Sequence, residues 1–116
     1  MFSFLRHQTP EITVEELDEL LRGGKVRLLD VREDWEYRRG HVPRALHIPL
    51  GQLGQRSAEL PQGERVVVIC QSGNRSLAAT DFLLAQGFEG SASVTGGTSA
   101  WVRSGRRLEE GPARAA

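Results

Sequence analysis

The sequence predicts a single α/β domain built on a mainly parallel sheet, and three observations carry that expectation. The chain has 116 residues, which suits one domain with a proper core and is too short for two ordinary ones. Apolar strand-like runs alternate with helix-like segments, the order that builds parallel sheets. One of those runs, "RVVVIC" (Arg65 to Cys70), is continuously apolar and mostly β-branched, as expected of a strand buried on both faces.

The elements follow in order. "EIT" (Glu11 to Thr13) reads as an opening strand. "TVEELDELLRGG" reads as a helix. Thr13 and Glu16 stand at capping-box spacing, Leu17, Leu20 and Leu21 form the apolar stripe, and Gly23 or Gly24 ends it. "VRLLDV" (Val26 to Val31) is a short strand, and "DWEYRRG" is a helical turn closing at Gly40. "ALHIPL" (Ala45 to Leu50) is a further strand, limited by Pro49. Leu50 to Leu60 reads both ways: Leu53, Ala58 and Leu60 favour helix, whereas Gly51 and Gly54 weaken it. After the Arg65–Cys70 strand, Ser76 to Gln86 is the clearest helix, with Ala78, Phe82 and Ala85 on one face and Gly87 as its stop. "SASVT" is a last strand and "TSAWVRSG" a last helix. The divisions are an extension over 1–10, the domain over 11–105 and a tail over 106–116. "EEGPARAA" lacks apolar periodicity and is expected to fray.

Composition narrows the function. Lys plus Arg and Asp plus Glu both count 15, so the net charge is zero. Nucleic acid and anionic membrane as main partners call for a basic surplus and are disfavoured. No apolar run approaches membrane-spanning length, and "MFSFLRHQTP" is too short for a secretory signal. A single cysteine forms no internal disulfide, so no oxidising compartment is implied. A cytoplasmic protein is the expectation.

That single cysteine, Cys70, lies at the carboxyl end of the buried strand, the edge where open α/β sheets bind ligands. Gln71, Ser72, Gly73, Asn74 and Arg75 join it to the helix that begins near Ser76. A loop in that position can turn several backbone N–H groups inward as an anion nest, and the helix N-terminus adds positive potential. Gly73 permits a positive φ, and Asn74 tolerates one. Arg75 adds a cation. Each feature favours thiolate over thiol, and the thiolate is the nucleophile. A lone cysteine at a strand end is by itself more often a small buried hydrophobe; the polar hexapeptide around it is what such a residue does not need. His7 and His47 have no metal-ligand spacing to Cys70, so no metal site is expected. Trp35, Tyr37 and Trp101 read as core or rim packing.

Three stretches together resemble the rhodanese family of sulfurtransferases in its single-domain form. "LLDVREDWEYRRGHVPRALHIPL" (Leu28 to Leu50) is similar to the family's first signature, "VICQSGNRS" (Val68 to Ser76) to its active-site loop, and "VTGGTSAW" (Val94 to Trp101) to its closing signature. The resemblance runs from about Ile12 to Trp101. Arg44 stands where glycine is common, and Thr98 where a branched apolar residue is usual; neither departure is expected to touch the nucleophile. The resemblance implies a five-stranded, mainly parallel sheet with helices on both faces. It also implies that Cys70 takes the outer sulfur of thiosulfate or a persulfide, becomes a persulfide itself, and passes that sulfur to a thiol or cyanide, with no cofactor. The partners so implied are a small sulfur donor and a thiol acceptor, a protein among the options. Gln71 to Ser76 would supply the donors around the sulfur, with Arg75 either orienting an anionic donor or steadying the loop. Asp30, Arg32 and His41, in the first signature, read as supporting residues: Asp30 as an acceptor for loop N–H groups, Arg32 as a partner of Glu36 or another carboxylate, His41 as a turn residue.

Two other functions share this frame. Cell-cycle dual-specificity phosphatases and some arsenate reductases have a Cys-loop-Arg site on the same fold, with five residues between Cys and Arg. Here four residues, Gln71 to Asn74, intervene. The shorter loop makes a tighter cradle, suited to a sulfur atom and cramped for a tetrahedral phosphate. The other alternative is a sulfur carrier or partner-binding module without turnover.

Overall fold

A computed structural model of the chain describes residues 8–113. It shows one five-stranded sheet made of β1 (Glu11–Ile12), β2 (Val26–Asp30), β3 (Leu46–His47), β4 (Arg65–Ile69) and β5 (Ala92–Val94). The strand order is β1-β5-β4-β2-β3, and every pairing is parallel. The helices are α1 (Val14–Gly23), α2 (Asp34–Arg39), α3 (Leu53–Arg56), α4 (Arg75–Ala85) and α5 (Gly97–Arg103).

The period of two along β4 explains why helices cover both faces. Val67 and Ile69 point into one cluster with Leu17 of α1, Tyr37 of α2 and Trp101 of α5. Val66, Val68 and, just past the strand's end, Cys70 point into the other, with Leu53 of α3 and Ala79 and Leu83 of α4. Each of those side chains along β4 is fully or almost fully buried, so a continuous apolar run is what this strand requires.

The topology also places the site. β2 continues to β3 on one side, whereas β4 continues to β5 on the other. β2 and β4 are neighbours, with Asp30 opposite Ile69. The loops leaving their carboxyl ends therefore diverge, and such a switch point opens a crevice where open α/β sheets bind ligands.

The α1 capping box forms as its spacing predicts: Thr13 Oγ1 accepts from Glu16 N at 3.0 Å, and Glu16 Oε1 from Thr13 N at 2.8 Å. Leu50 to Leu60 resolves into two 3-10 turns flanking α3. The strand expected over Ala45 to Leu50 is regular only at Leu46–His47, although Ile48 N and Leu50 N still bond Asp30 O (3.1 Å) and Val31 O (2.9 Å). Pro49, which has no N–H to give, separates them.

Two expectations are corrected. The inward face of α4 is Ser76, Ala79, Thr80 and Leu83; Ala78 and Ala85 are exposed and Phe82 half-buried. The true face lies about one residue, or about 100°, away, because it includes hydroxyls that find partners. Thr80 Oγ1 donates to Ser76 O at 2.7 Å, and Ser76 Oγ meets Ser93 Oγ at 2.7 Å. The C-terminal stretch expected to fray is held through Gly111. Glu109 pairs with His41 in an antiparallel bridge, by N–H to O bonds of 2.8 and 2.9 Å, and Gly111 N donates to Arg38 O at 2.9 Å. Leu108 packs on the core cluster of Tyr37 and Trp101, and this docking satisfies backbone groups that periodicity cannot count. Arg114 to Ala116, and residues 1–7 of the expected extension with His7, lie outside the described residues. Among the described residues no helix is long and apolar enough to cross a membrane.

Arg44, noted above as standing in a glycine's place, is the one non-glycine residue with positive φ (71°) among the described residues. It is the third residue of the turn that the bond from Ala45 N to Val42 O closes. A side chain in the left-handed region carries a steric cost that glycine avoids. Arg44→Gly is therefore expected to exceed Arg44→Ala in stability by about 1 kcal/mol in chemical denaturation. An Ala variant as stable as the Gly variant would contradict this.

Candidate active site

The cradle around Cys70 is built from below by α5. Thr98 N and Thr98 Oγ1 donate to Cys70 O at 2.8 and 3.0 Å, and Ser99 N donates to Gln71 O at 3.0 Å. With these carbonyls turned down onto a helix N-terminus, the following N–H groups are free to face the sulfur. Gly73 N donates to Cys70 Sγ at 3.1 Å and Ser76 N at 3.4 Å, while the Ser76 hydroxyl lies 3.4 Å away. Gly73 takes φ 107° to make this turn, and a Cβ there would press on Gly96 N at 3.1 Å.

Cys70 is 1 % exposed. Burial pushes its thiol pKa up, but the Ser76 hydroxyl and the backbone N–H groups of Ser76, Gly73 and Ser72 together pull it below its ordinary value. Hydrogen bonds to the charged form outweigh desolvation here. Ser93, on β5, holds the Ser76 hydroxyl from behind, so Ser76 can point its proton at the sulfur.

The charged residues pair in a pattern that sequence reasoning left open. Arg75 forms a bidentate pair with Glu36 of α2, with N to O distances of 2.7 and 2.9 Å. Arg32 pairs with Asp30 rather than Glu36: its Nε lies 3.0 Å from Oδ1 and its NH2 2.8 Å from Oδ2. Arg32 also donates to Gln71 Oε1 (3.0 Å) and Gly40 O (2.8 Å), and Asp30 Oδ1 accepts Arg32 N at 3.0 Å. Gln71 is thereby held between Arg32 and Ser99, to whose Oγ its Nε2 donates at 2.9 Å. The Arg75–Glu36 pair and the Arg32–Gln71 bond tie the first signature to the Cys70 loop.

Glu36 is held down at about 2, first by the Arg75 bond, against its own burial, with help from the Glu33 backbone N–H. A depressed carboxylate pKa contributes stability above the ordinary value of 4.5 that is lost as pH falls toward 2. Glu36→Gln is expected to cost about 1–2 kcal/mol at neutral pH, since it leaves Arg75 without its counter-ion. The gap to wild type should shrink as pH falls from 4.5 toward about 2 in denaturation titrations. A gap independent of pH would show that the charge of Glu36 is not what matters.

His41 is 4 % exposed; its Nδ1 meets Tyr37 O at 2.7 Å and its ring stacks on Tyr37 at 3.6 Å. His47 stacks on Tyr37 too and bonds Arg32 O through Nε2 at 2.8 Å. The rings thus pack the connection from α2 to β3, and none of these contacts reaches Cys70. Trp35, by contrast, is exposed at the rim.

Two loop expectations change. Asn74 has φ −87°, so Gly73 alone in the loop takes positive φ. Thr98, expected to stand clear of the nucleophile, bonds the carbonyl of Cys70 itself. Sequence reasoning missed Ser93, Ser99 and Gly97 as supports, and named Glu36 only as a partner for Arg32. The Gly96-Gly97 pair was visible as a motif; its purpose was not, because it lies in the contact between two segments distant in the chain. Among the described residues no group of three His, Cys, Asp or Glu is placed to hold a metal ion.

Comparison with known proteins bears on this site. The Rhodanese-like domain family model matches residues 13–104. The chain is 37% identical over 94 residues to the "Putative sulfur carrier protein YrkF" of Bacillus subtilis (strain 168), covering 80% of this chain and 51% of that protein. It thus spans about half the length of that curated relative. The structure resembles a thiosulfate sulfurtransferase from Pseudomonas aeruginosa, with TM-score 0.85 and 34% identity, over 97% of this chain and 22% of that one. It also resembles the human single-domain sulfurtransferase TSTD1, with TM-score 0.73 and 27% identity, over 83% of this chain and 97% of that one.

Proposed function

Because the chain belongs to the rhodanese-like domain family, we propose that it is a sulfurtransferase working through a persulfide on Cys70. One observation carries the proposal: the Cys70 sulfur sits in a ring of backbone N–H groups and one hydroxyl that lowers its pKa. These donors stabilise negative charge on whichever sulfur occupies the cradle. With thiosulfate as donor, the Cys70 thiolate attacks the outer sulfur. The S–S bond of thiosulfate breaks, sulfite leaves with the electron pair, and a Cys70 persulfide anion remains. A thiolate or cyanide then attacks the outer persulfide sulfur, and the Cys70 thiolate departs. The sulfur stays under the same donors throughout, so no separate base is needed.

Arg75 and Arg32 act by position. Their carboxylate partners neutralise them, and they anchor the loop at both ends. The four-residue spacing from Cys70 to Arg75 supports sulfur over phosphate as the group transferred.

Intact-mass analysis after incubation with thiosulfate or an organic persulfide tests this reading. The protein should gain one sulfur atom, removable by dithiothreitol. No adduct from either donor would sink the reading, and aryl-phosphate hydrolysis dependent on Cys70 would replace it with a phosphatase. The likeness to a protein named as a sulfur carrier favours a second reading, in which the loaded protein delivers sulfur once to a protein partner. Multiple turnovers with cyanide or a small thiol support the enzyme, whereas stoichiometric loading without turnover supports the carrier.

A further inference from the structure

Ser93 places a hydroxyl where the interior of a sheet calls for an apolar side chain. It lies in β5 opposite Val68 of β4 and is fully buried. A buried hydroxyl is costly without a partner, and the partner here is Ser76 Oγ of α4, 2.7 Å away. Ser76 Oγ in turn lies 3.4 Å from Cys70 Sγ. Ser76 is the second residue of α4, so no helical carbonyl one turn earlier is there to take its hydroxyl proton. Among the described residues that hydroxyl meets Cys70 Sγ and Ser93 Oγ, and its proton goes to one or the other. The neighbouring buried hydroxyl, Thr80, is committed to Ser76 O and does not compete.

The charge on sulfur decides the direction. Facing a Cys70 thiolate, Ser76 donates to the sulfur and Ser93 donates to Ser76. Facing an uncharged sulfur, either a thiol or the inner sulfur of a persulfide, Ser76 turns and donates to Ser93. Hydrogen bonds in such a chain polarise one another, so the first arrangement strengthens the donor that a thiolate receives and the second withdraws it.

Resting on the sulfurtransferase reading, we propose that Ser93 is a positioning residue for the sulfur chemistry: the Ser93–Ser76 pair reverses direction as Cys70 gains and loses charge, and so speeds sulfur release at the expense of loading. In loading, the Cys70 thiolate attacks the outer sulfur of the donor, and a thiolate held by a stronger hydrogen bond is the weaker nucleophile. In release, an acceptor thiolate or cyanide attacks the outer sulfur of Cys70–S–S⁻. The S–S bond to Cys70 breaks, and Cys70 Sγ leaves with the electron pair. Charge then arrives on Sγ, and the better-stabilised thiolate leaves faster. The charged groups around the cradle pair among themselves, Arg75 of α4 with Glu36 of α2 and Arg32 with Asp30 at the end of β2. α5, α3 and β5 face Cys70 or its partner Ser76 with Thr98, Leu53 and Ser93, none of them charged. Ser93→Ala leaves those ion pairs in place, so its effect is read through Ser76.

A double-mutant cycle of Ser76→Ala, Ser93→Ala and the two combined tests this, with folding checked by circular dichroism. The pH midpoint of iodoacetamide alkylation at Cys70 should rise by about 0.5 pH unit in Ser93→Ala. It should rise no further when Ser93→Ala is added to Ser76→Ala, because the effect travels through the Ser76 hydroxyl. At a pH above the midpoints, rapid quench and intact mass follow loading from thiosulfate and release to cyanide. The ratio of release rate to loading rate should fall about threefold in Ser93→Ala. An unchanged midpoint, an equal rise in the Ser76→Ala background, or an unchanged ratio would each overturn the proposal. Ser93 would then only pack β5 against α4, and sulfur loading on Cys70 would stand. A wild type that loads from neither thiosulfate nor an organic persulfide removes the sulfurtransferase reading and the bias toward release with it. The midpoints need no sulfur donor and still decide whether Ser93 acts through Ser76.

Discussion

Cys70→Ser is expected to take up no sulfur from any donor and to lose at least about a thousandfold in sulfur-transfer turnover. The reason is specific to the reacting atom. A serine oxygen fits the same space and can accept from Gly73 N and Ser76 N, so the fold should persist. Its hydroxyl, however, is not ionised by that cradle at neutral pH, and it forms no persulfide. The same cradle predicts how the wild-type thiol behaves. Burial alone would raise the Cys70 pKa, yet the Ser76 hydroxyl and three backbone N–H groups bring it below the ordinary value. The pH profile of iodoacetamide alkylation should therefore have its midpoint below that of free cysteine. Ser76→Ala deletes a donor to the charged form and should move that midpoint up, slowing alkylation at neutral pH. A wild-type midpoint at or above that of free cysteine would remove the physical basis of the proposed chemistry.

The second large effect concerns a residue that bears no functional group. Gly97→Ala is expected to destabilise the protein by about 3 kcal/mol or more, a fall in Tm of roughly 10–20 °C for a domain of this size. Gly97 has φ 57°, and a Cβ on it would overlap Cys70 O and come within 2.7 Å of Gln71 O. Those are backbone atoms of the loop that begins at Cys70, and Thr98 and Ser99 hydrogen-bond the same two carbonyls. The obstacle cannot swing away as a flexible side chain would, so relief requires lifting the loop off α5. Gly63 supplies the control. It also has positive φ (82°) but nothing within 4 Å of a Cβ, so Gly63→Ala should cost only the backbone strain, about 1 kcal/mol. Equal losses in the two variants would show that the close approach at Gly97 is unimportant.

The elements most legible in the sequence were those set by local pattern. Arg65–Cys70 could be read as a two-sided strand because every residue from Val66 on is apolar, and Thr13 with Glu16 announced the α1 cap. The reading of α4 found the helix but faced it wrongly. Apolar residues were counted as inward, whereas Ser76 and Thr80 are inward and satisfied by Ser93 and by the helix's own backbone. The C-terminal stretch was misread for a related reason. Its hold on the domain is made by backbone bonds from Glu109 to His41 and from Gly111 to Arg38, which leave no mark on side-chain periodicity.

By itself the sequence determined the α/β class, the position of the lone cysteine at a strand's carboxyl end, and the loop of four residues that separates Cys70 from Arg75. Each depends on neighbours in the chain, where spacing and residue type are sufficient. Only the tertiary structure decided which charges pair, Arg75 with Glu36 and Arg32 with Asp30, and that Thr98 and Gly97 form the floor beneath Cys70. Glu36 lies 39 residues before Arg75, and Thr98 lies 28 after Cys70. Across such separations the choice among equally charged partners rests on ångström distances set by the packing of α2, β2 and α5 around β4, and Coulombic and hydrogen-bond energies fall off too steeply with distance for residue type alone to make it.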